Sequence, residues 1–161
     1  MSKLSDFQIP KEVLENPGTS SVWFYQDLLS VPFLVNNSYH ITNSVSCCRV
    51  LKHPDTDSIK YAYIIYLDAS EFSSILQEIF QDNQITSYIL TDNGKIVASN
   101  NPSLLSASLD EEKLDFLYNK GDSLKKRAHT NYHTTTLRNG WLQVTEIPDS
   151  YIMQNTHILI K

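Results

Sequence analysis

The run Ile59-Lys60-Tyr61-Ala62-Tyr63-Ile64-Ile65-Tyr66-Leu67, followed at once by Asp68-Ala69-Ser70-Glu71, constrains the fold of this chain more than any other feature. β-Branched and aromatic residues fill the run, and they suit a pleated surface better than a helix. Tyr61, Tyr63, Ile65 and Leu67 share one face of such a strand, and Ala62, Ile64 and Tyr66 share the other. Both faces are largely apolar, so the strand is expected at the centre of a sheet. Asp68 and Glu71 then have capping-box spacing, with one carboxylate accepting from the third amide and the other reaching back. Beyond them Phe72, Ile75, Leu76, Ile79 and Phe80 recur at helical spacing, which predicts a single apolar stripe on a helix over 70–81.

Two Asn-Gly pairs extend the pattern. Asn93-Gly94 separates Tyr88–Thr91 from Lys95–Ser99, and Asn139-Gly140 separates His129–Arg138 from Trp141–Ile147. Asn-Gly between apolar runs predicts a two-residue hairpin turn with both residues at positive φ. The outcome is an α+β fold, antiparallel sheet flanked by helices, favoured as two sheets bridged by the helix Ser70–Gln81. Ile41–Leu51, rich in Ser, Thr, Val and Cys, reads as a further strand, with a turn at His53-Pro54-Asp55 behind it. Thr19 or Ser20 is placed to cap a short helix carrying Val22, Trp23 and Leu28 and closed by Pro32. Ser108 with Glu111 predicts a second capping box, ahead of a helix bearing Leu114, Leu117 and Tyr118, with Gly121 as its left-handed C-terminal cap. Pro148 permits a last helix from Asp149 to Lys161. Ser2 to Gly18 is weakly patterned.

Composition excludes several classes. At 161 residues the chain can bury the core of one domain or two small lobes. Its 19% charged residues fall below the typical ~25%, a polar but weakly charged surface that fits an extracytoplasmic protein. A net charge of −5 with no Lys/Arg stripe argues against a nucleic-acid partner. The one basic cluster, Lys125-Lys126-Arg127, reads as a solvated loop. Cys47 and Cys48 are neighbours that a strand would point to opposite faces, so they read as free thiols with at least one buried. There is no G-x-S-x-G elbow, and four glycines build no phosphate loop, so no catalytic residue is expected. His129 and His133 would lie roughly 13 Å apart on a strand, too far to share one ion, so neither a metal nor a cofactor is expected. No run of ~18 apolar residues and no signal peptide are present. An extracytoplasmic protein with this sequence is therefore expected to attach to the membrane through flanking helices outside it.

With the elements in this order, the sequence resembles the Cache sensor domains of bacterial membrane histidine kinases, in their two-lobed form. The likeness rests on Trp23-Phe24-Tyr25, YAYIIYLDASEFSSIL (61–76), SYILTDNGKIVASN (87–100) and NGWLQVTEIPDSYI (139–152), and covers roughly Val22 to Ile152. It implies a distal lobe over 1–82, truncated or degenerate and ending in a connecting helix, and a membrane-proximal PAS-like lobe over 83–161 leading to a transmembrane helix. The family's long N-terminal helix and first distal hairpin have no counterpart here. Amino-acid-sensing members carry an Arg-x-Trp-Tyr element whose Arg pairs with the ligand carboxylate. Here the run is Ser21-Val22-Trp23-Phe24, and only Trp23 and the strand-end Asp68 match, so an α-amino acid held in that mode is not expected.

Five residues stand out as candidate ligand contacts. Trp23, Tyr39 and Tyr66, with Tyr25, could wall a pocket, or simply pack. Arg49 could fork onto a carboxylate, or lie exposed on an edge strand. Asp68 could accept from a ligand amine while also capping the helix. The resemblance implies an extracytoplasmic signal-sensing domain of a two-component kinase, binding a small molecule or a binding protein, homodimeric in the whole receptor. The alternative is a non-ligand-binding interaction or dimerisation domain of a chemoreceptor or other membrane signalling protein.

Overall fold

The computed structural model describes residues 21–33, 37–56, 58–119 and 123–156, with side chains left aside for 28–41 and for 123. Ser2 to Gly18, Gly121 and the end of the last predicted helix lie outside the described residues. The chain divides into two compact units, Met1–Ala69 and Ser70–Lys161, each with its own sheet.

The first unit is an antiparallel sheet of β1 (Val22–Phe33), β2 (Asn37–Lys52) and β3 (Ile59–Asp68), with β2 in the middle. Two expectations fail here. The segment predicted as a helix from Thr19 is strand β1, because Val22-Trp23-Phe24-Tyr25 is β-prone and finds a partner in β2, Val22 opposite Cys48 through Phe33 opposite Asn37. Pro32 is tolerated because β1 is an edge strand of the described sheet. The strand expected to be central, β3, is the other edge, and its doubly apolar character reflects an uncovered face. Tyr61, Tyr63, Ile65 and Leu67 are exposed, whereas Ala62, Ile64 and Ile59 pack with Val22 and Phe24 around the buried Cys48 and Val50.

The second unit is a five-stranded antiparallel sheet of β4 (Thr86–Leu90), β5 (Ile96–Ser99), β6 (Ser123–Arg127), β7 (Thr130–Thr136) and β8 (Leu142–Pro148), in the order β5-β4-β8-β7-β6. The last strand is therefore central, beside the first. Helices α1 (Ala69–Ile79), α2 (Glu111–Tyr118) and α3 (Asp149–Thr156) complete an α+β fold of PAS-like type. The core joins Tyr88, Leu90, Ile96, Leu117, Tyr132, Leu142 and Val144, with α2 laid over it through Leu114 and Phe116.

Local chemistry departs from the sequence reading in four places. Both Asn-Gly turns are three-residue loops: Gly94 N donates to Thr91 O and Thr91 N to Lys95 O, and the same pattern joins Leu137, Gly140 and Trp141. Only the glycines reach positive φ, +82° and +86°, so each turn ends in a glycine bulge and Asn stays at negative φ. Asp110, not Ser108, caps α2, its carboxylate accepting from Lys113 N at 2.7 Å, and the C-cap is Asn119. On α1 the buried positions are Ala69, Ser73 and Leu76, while Ile75 and Ile79 are exposed. Ser73 is buried because its Oγ accepts from Ser99 N on β5 at 3.2 Å. Finally, Lys125-Lys126-Arg127 is no loop but most of β6. Lys125 Nζ donates to the Phe116 and Leu117 carbonyls at the end of α2, which neutralises the carbonyls left open at a helix C-terminus.

Candidate functional site

The strand alternation of the first sheet decides which candidate residues can meet. Side chains directly opposite in an antiparallel pair share a face. On one face stand Trp23, opposite Cys47, and then Arg49 opposite Tyr63, with Cys47 opposite Ile65. On the other stand Phe24, Ser46 and Tyr66 in one row, and Gln26, Ser44 and Asp68 in the next. Trp23 and Arg49 are thus separated from Tyr66 and Asp68 by the thickness of the sheet. Tyr39 pairs with Val31 at the far end of the β1–β2 hairpin, among positions whose side chains are not described.

The first of these faces carries a concavity of about 480 Å³, lined by Ser21, Cys47, Arg49, Leu51, Tyr63 and Ile65. That volume lies within the range of small-molecule clefts. Its walls are aliphatic and aromatic, and Arg49 supplies the charge. A guanidinium presents a rigid fork that matches a carboxylate with two parallel hydrogen bonds, and Arg49 is exposed on the middle strand β2, with the exposed Tyr63 and Ile65 beside it. Among the described residues the lining holds no His and no carboxylate. Tyr25 stands beyond Trp23 and donates its hydroxyl to Asn43 Oδ1 at 2.7 Å, where Asn43 adopts a φ of 53°.

The opposite face is a different environment. Ser44 and Ser46 are fully buried, their hydroxyls 3.3 Å apart. Burial pushes the Cys48 thiol pKa up, with Cys47 adding to it, and burial likewise raises the Tyr66 phenol, helped by Cys48. Tyr66 and Asp68 thus neighbour small buried hydroxyls, a polar end to an otherwise apolar face. Sequence reasoning missed Ser21, Cys47, Leu51, Tyr63 and Ile65 as a group. The face of β3 was read correctly, but with β1 taken as a helix nothing placed Cys47 and Arg49 beside it.

No family model matches the sequence, and no curated protein does. Solved structures do. The periplasmic sensory domain of the Campylobacter jejuni chemoreceptor Tlp1 superposes with a TM-score of 0.64 at 10% identity, covering 94% of this chain and 58% of that one. The extracellular domain of rpHK1S-Z16, described as a candidate histidine kinase, gives 0.57 at 10% identity, covering 89% and 59%. The ligand-binding domain of the Pseudomonas fluorescens chemoreceptor CtaA, solved with L-isoleucine, gives 0.52 at 12% identity, covering 94% and 66%. The chain spans less than two thirds of the length of each. Its fold is that of the extracytoplasmic sensory domains of bacterial chemoreceptors and histidine kinases.

Proposed function

We propose that this chain is the sensing region of an extracytoplasmic receptor domain, non-catalytic itself, whose full-length protein is a membrane histidine kinase. The carrying observation is the sensory-domain fold together with a concavity in which Arg49 is the charged group. Functionally, residues 1–82 meet the signal and residues 83–161 transmit it, through α3 toward a membrane helix. No described helix is itself long and apolar enough to cross a bilayer. The ligand that fits the concavity is a small carboxylate with an apolar body, the carboxylate on Arg49 and the body against Tyr63, Ile65 and Leu51. Trp23, on the same face, extends that wall. Tyr66 and Asp68 act from the other face, Asp68 as the strand-to-helix junction.

The test is a thermal-shift screen of aliphatic and aromatic carboxylates against the native chain and Arg49→Ala. A specific stabilising carboxylate whose effect disappears in R49A supports the reading. A screen without stabilising hits, or a hit unaffected by R49A, removes the small-molecule site. The exposed Tyr61-to-Leu67 face favours a second reading, in which a protein partner docks on this sheet and no small ligand binds. A chemoreceptor output in place of a kinase is compatible with either.

A further inference from the structure

The two Asn-Gly pairs, read so far as turn formers, also carry chemistry. The peptide nitrogen that follows an asparagine can attack the side-chain amide carbon. An N–Cγ bond forms, ammonia leaves with the peptide proton, and a succinimide ring remains. Water then opens the ring at either carbonyl, giving aspartate or isoaspartate. No oxidant or other co-reactant is needed, and glycine, without a side chain, obstructs the attacking nitrogen least. Both loops begin alike. Gly94 N donates to Thr91 O at 3.0 Å and Gly140 N to Leu137 O at 2.9 Å, so each must open before its nitrogen can attack. Each amide oxygen also accepts a hydrogen bond, Asn93 Oδ1 from Thr91 Oγ1 and Asn139 Oδ1 from Trp141 N.

What separates the loops is resistance to opening, which is set locally by burial and by bonds to the rest of the fold. The 91–95 loop is held down. Gly94 is buried, its carbonyl accepts from Leu109 N at 2.9 Å, and Lys95 bridges to Ser108. The Leu114 side chain packs 3.4 Å from where a Gly94 Cβ would stand. Thr91 Oγ1 ties the loop further by accepting from Lys95 N at 3.0 Å. Among the described residues the 137–141 loop has no such cover: Gly140 is exposed, and nothing lies within 4 Å of its Cβ position. We propose that Asn139 is a covalent modification site, converting spontaneously through a succinimide to aspartate and isoaspartate, while Asn93 is protected. The product places a carboxylate next to Arg138 at the entry to the central strand β8. Isoaspartate also lengthens the backbone between Leu137 and Trp141, which breaks the 2.7 Å bond from Leu137 N to Trp141 O. The site is independent of the Arg49 concavity.

The test incubates the full 161-residue chain in mildly alkaline buffer at body temperature and samples it over time. Each sample is digested with pepsin in acid, where new succinimide formation is slow, and the Asn93 and Asn139 peptides are followed by mass spectrometry. In the folded chain Asn139 is expected to convert at least roughly 10-fold faster than Asn93, since the 91–95 loop must break additional contacts to open. In chain unfolded by urea the two should convert at similar rates, which shows that the fold makes the difference. The rate at Asn139 should rise with pH, because the attacking nitrogen must lose its proton, and isoaspartate should accompany aspartate. Equal rates in the folded chain, or a faster Asn93, overturn the proposal. An Asn139 that keeps its amide when folded and loses it only in urea overturns it too. So does a preference for Asn139 that persists unchanged in urea, which would belong to the sequence and not to the loops. Aspartate formed without isoaspartate would mean direct hydrolysis and would overturn the succinimide route.

Discussion

Lys113→Met should loosen the second unit, and the structure gives the size. Lys113 Nζ lies 2.9 Å from Glu146 Oε1, which also accepts the Tyr88 hydroxyl at 2.7 Å. The two charged side chains are only 28% and 21% exposed, so the pair is not the screened surface kind. The ammonium also sits 5.7 Å from the Tyr132 ring centroid and 6.0 Å from that of Tyr88. A hydrogen bond to a charged group contributes about 1.5–3 kcal/mol, and each ring adds about 0.5 kcal/mol at such partly exposed sites. Methionine keeps the stem against the rings, so the expected loss is about 2–3 kcal/mol, left by an under-paired carboxylate. Glu146→Gln should cost less, about 1–2 kcal/mol, because its oxygen still accepts from Tyr88. The assay is urea unfolding in a Trp23→Phe background, so that Trp141, in the second unit, is the fluorescent reporter. With slopes of about 1–3 kcal/mol per molar, the K113M midpoint should fall by about 1 M. The double mutant should lose at least about 1 kcal/mol less than the sum of the singles. A coupling below about 0.5 kcal/mol would refute the claim that Lys113 and Glu146 act as one unit.

The two turn glycines should behave alike: Gly140→Ala meets nothing within 4 Å, the methyl of Gly94→Ala makes only ordinary contact with Leu114 at 3.4 Å, and each should cost about 1–2 kcal/mol from its left-handed backbone in the same unfolding assay. Asn100→Ala should cost about 2–3 kcal/mol by chemical denaturation, since the amide donates to Ile85 O at 2.8 Å and Phe80 O at 3.3 Å while accepting from Ser87 N at 2.8 Å. With a disulfide thiol reagent, Cys47 should react first and Cys48 only on unfolding, because Cys48 is fully buried with a raised thiol pKa; equal rates would contradict the strand register. The Asp149 carboxyl is held below the ordinary aspartate value of about 3.8, first by its hydrogen bonds from Lys126 and Asn131. A depressed folded pKa means that its contribution is complete above that value and is lost as pH falls through the lower, folded one. An NMR titration of Asp149 should therefore show a midpoint under 3.8 that moves upward in Lys126→Met.

What was legible in the sequence followed the strength of local signals. β3, the hairpins around Gly94 and Gly140, and the helices at 69–79 and 111–118 rest on period, turn chemistry and caps that act over four or five residues. The cap of α2 and the loop length at both glycines were missed locally, while the failures of element type and burial were decided by distant partners. Val22 to Phe33, preceded by Thr19-Ser20 and carrying Pro32, mimics helix punctuation, and only pairing with β2 settles it as a strand. Lys125-Lys126-Arg127 looks solvated until α2 places two open carbonyls beside Lys125, and Asp149 places a carboxylate 2.8 Å from Lys126. Ser73 is buried where Ile75 is exposed because a backbone amide 26 positions away needs an acceptor. Of the candidate site, Arg49 was named from residue type, and Trp23 also from its match to the family's ligand element. Their separation from Tyr66 and Asp68 needed the register of both hairpins, which periodicity does not carry.

A relay through α3 requires that β8 not slide freely against its neighbours, and the junction is held from two sides. Glu146, three residues before the helix, is tied to α2 by Lys113. Asp149, its first residue, accepts from Lys126 at 2.8 Å and from Asn131 at 2.7 Å, and its own N–H donates to the His129 carbonyl at 2.8 Å. These three contacts belong to the single hairpin β6–β7, whose two-residue loop holds Ala128 at a φ of 52°. Since β8 lies in the middle of the sheet, displacement of either α2 or the hairpin reaches the stretch from Glu146 to Asp149. A stimulus that repacks the second unit therefore cannot leave the helix origin where it was. For a signal that acts on the first sheet, α1 follows β3 directly in the chain, and its Ser73 hydroxyl accepts from Ser99 N on β5. Contacts on both flanks of β8 thus bring Asp149 into any rearrangement of α2 or of the β6–β7 hairpin that the proposed relay would use.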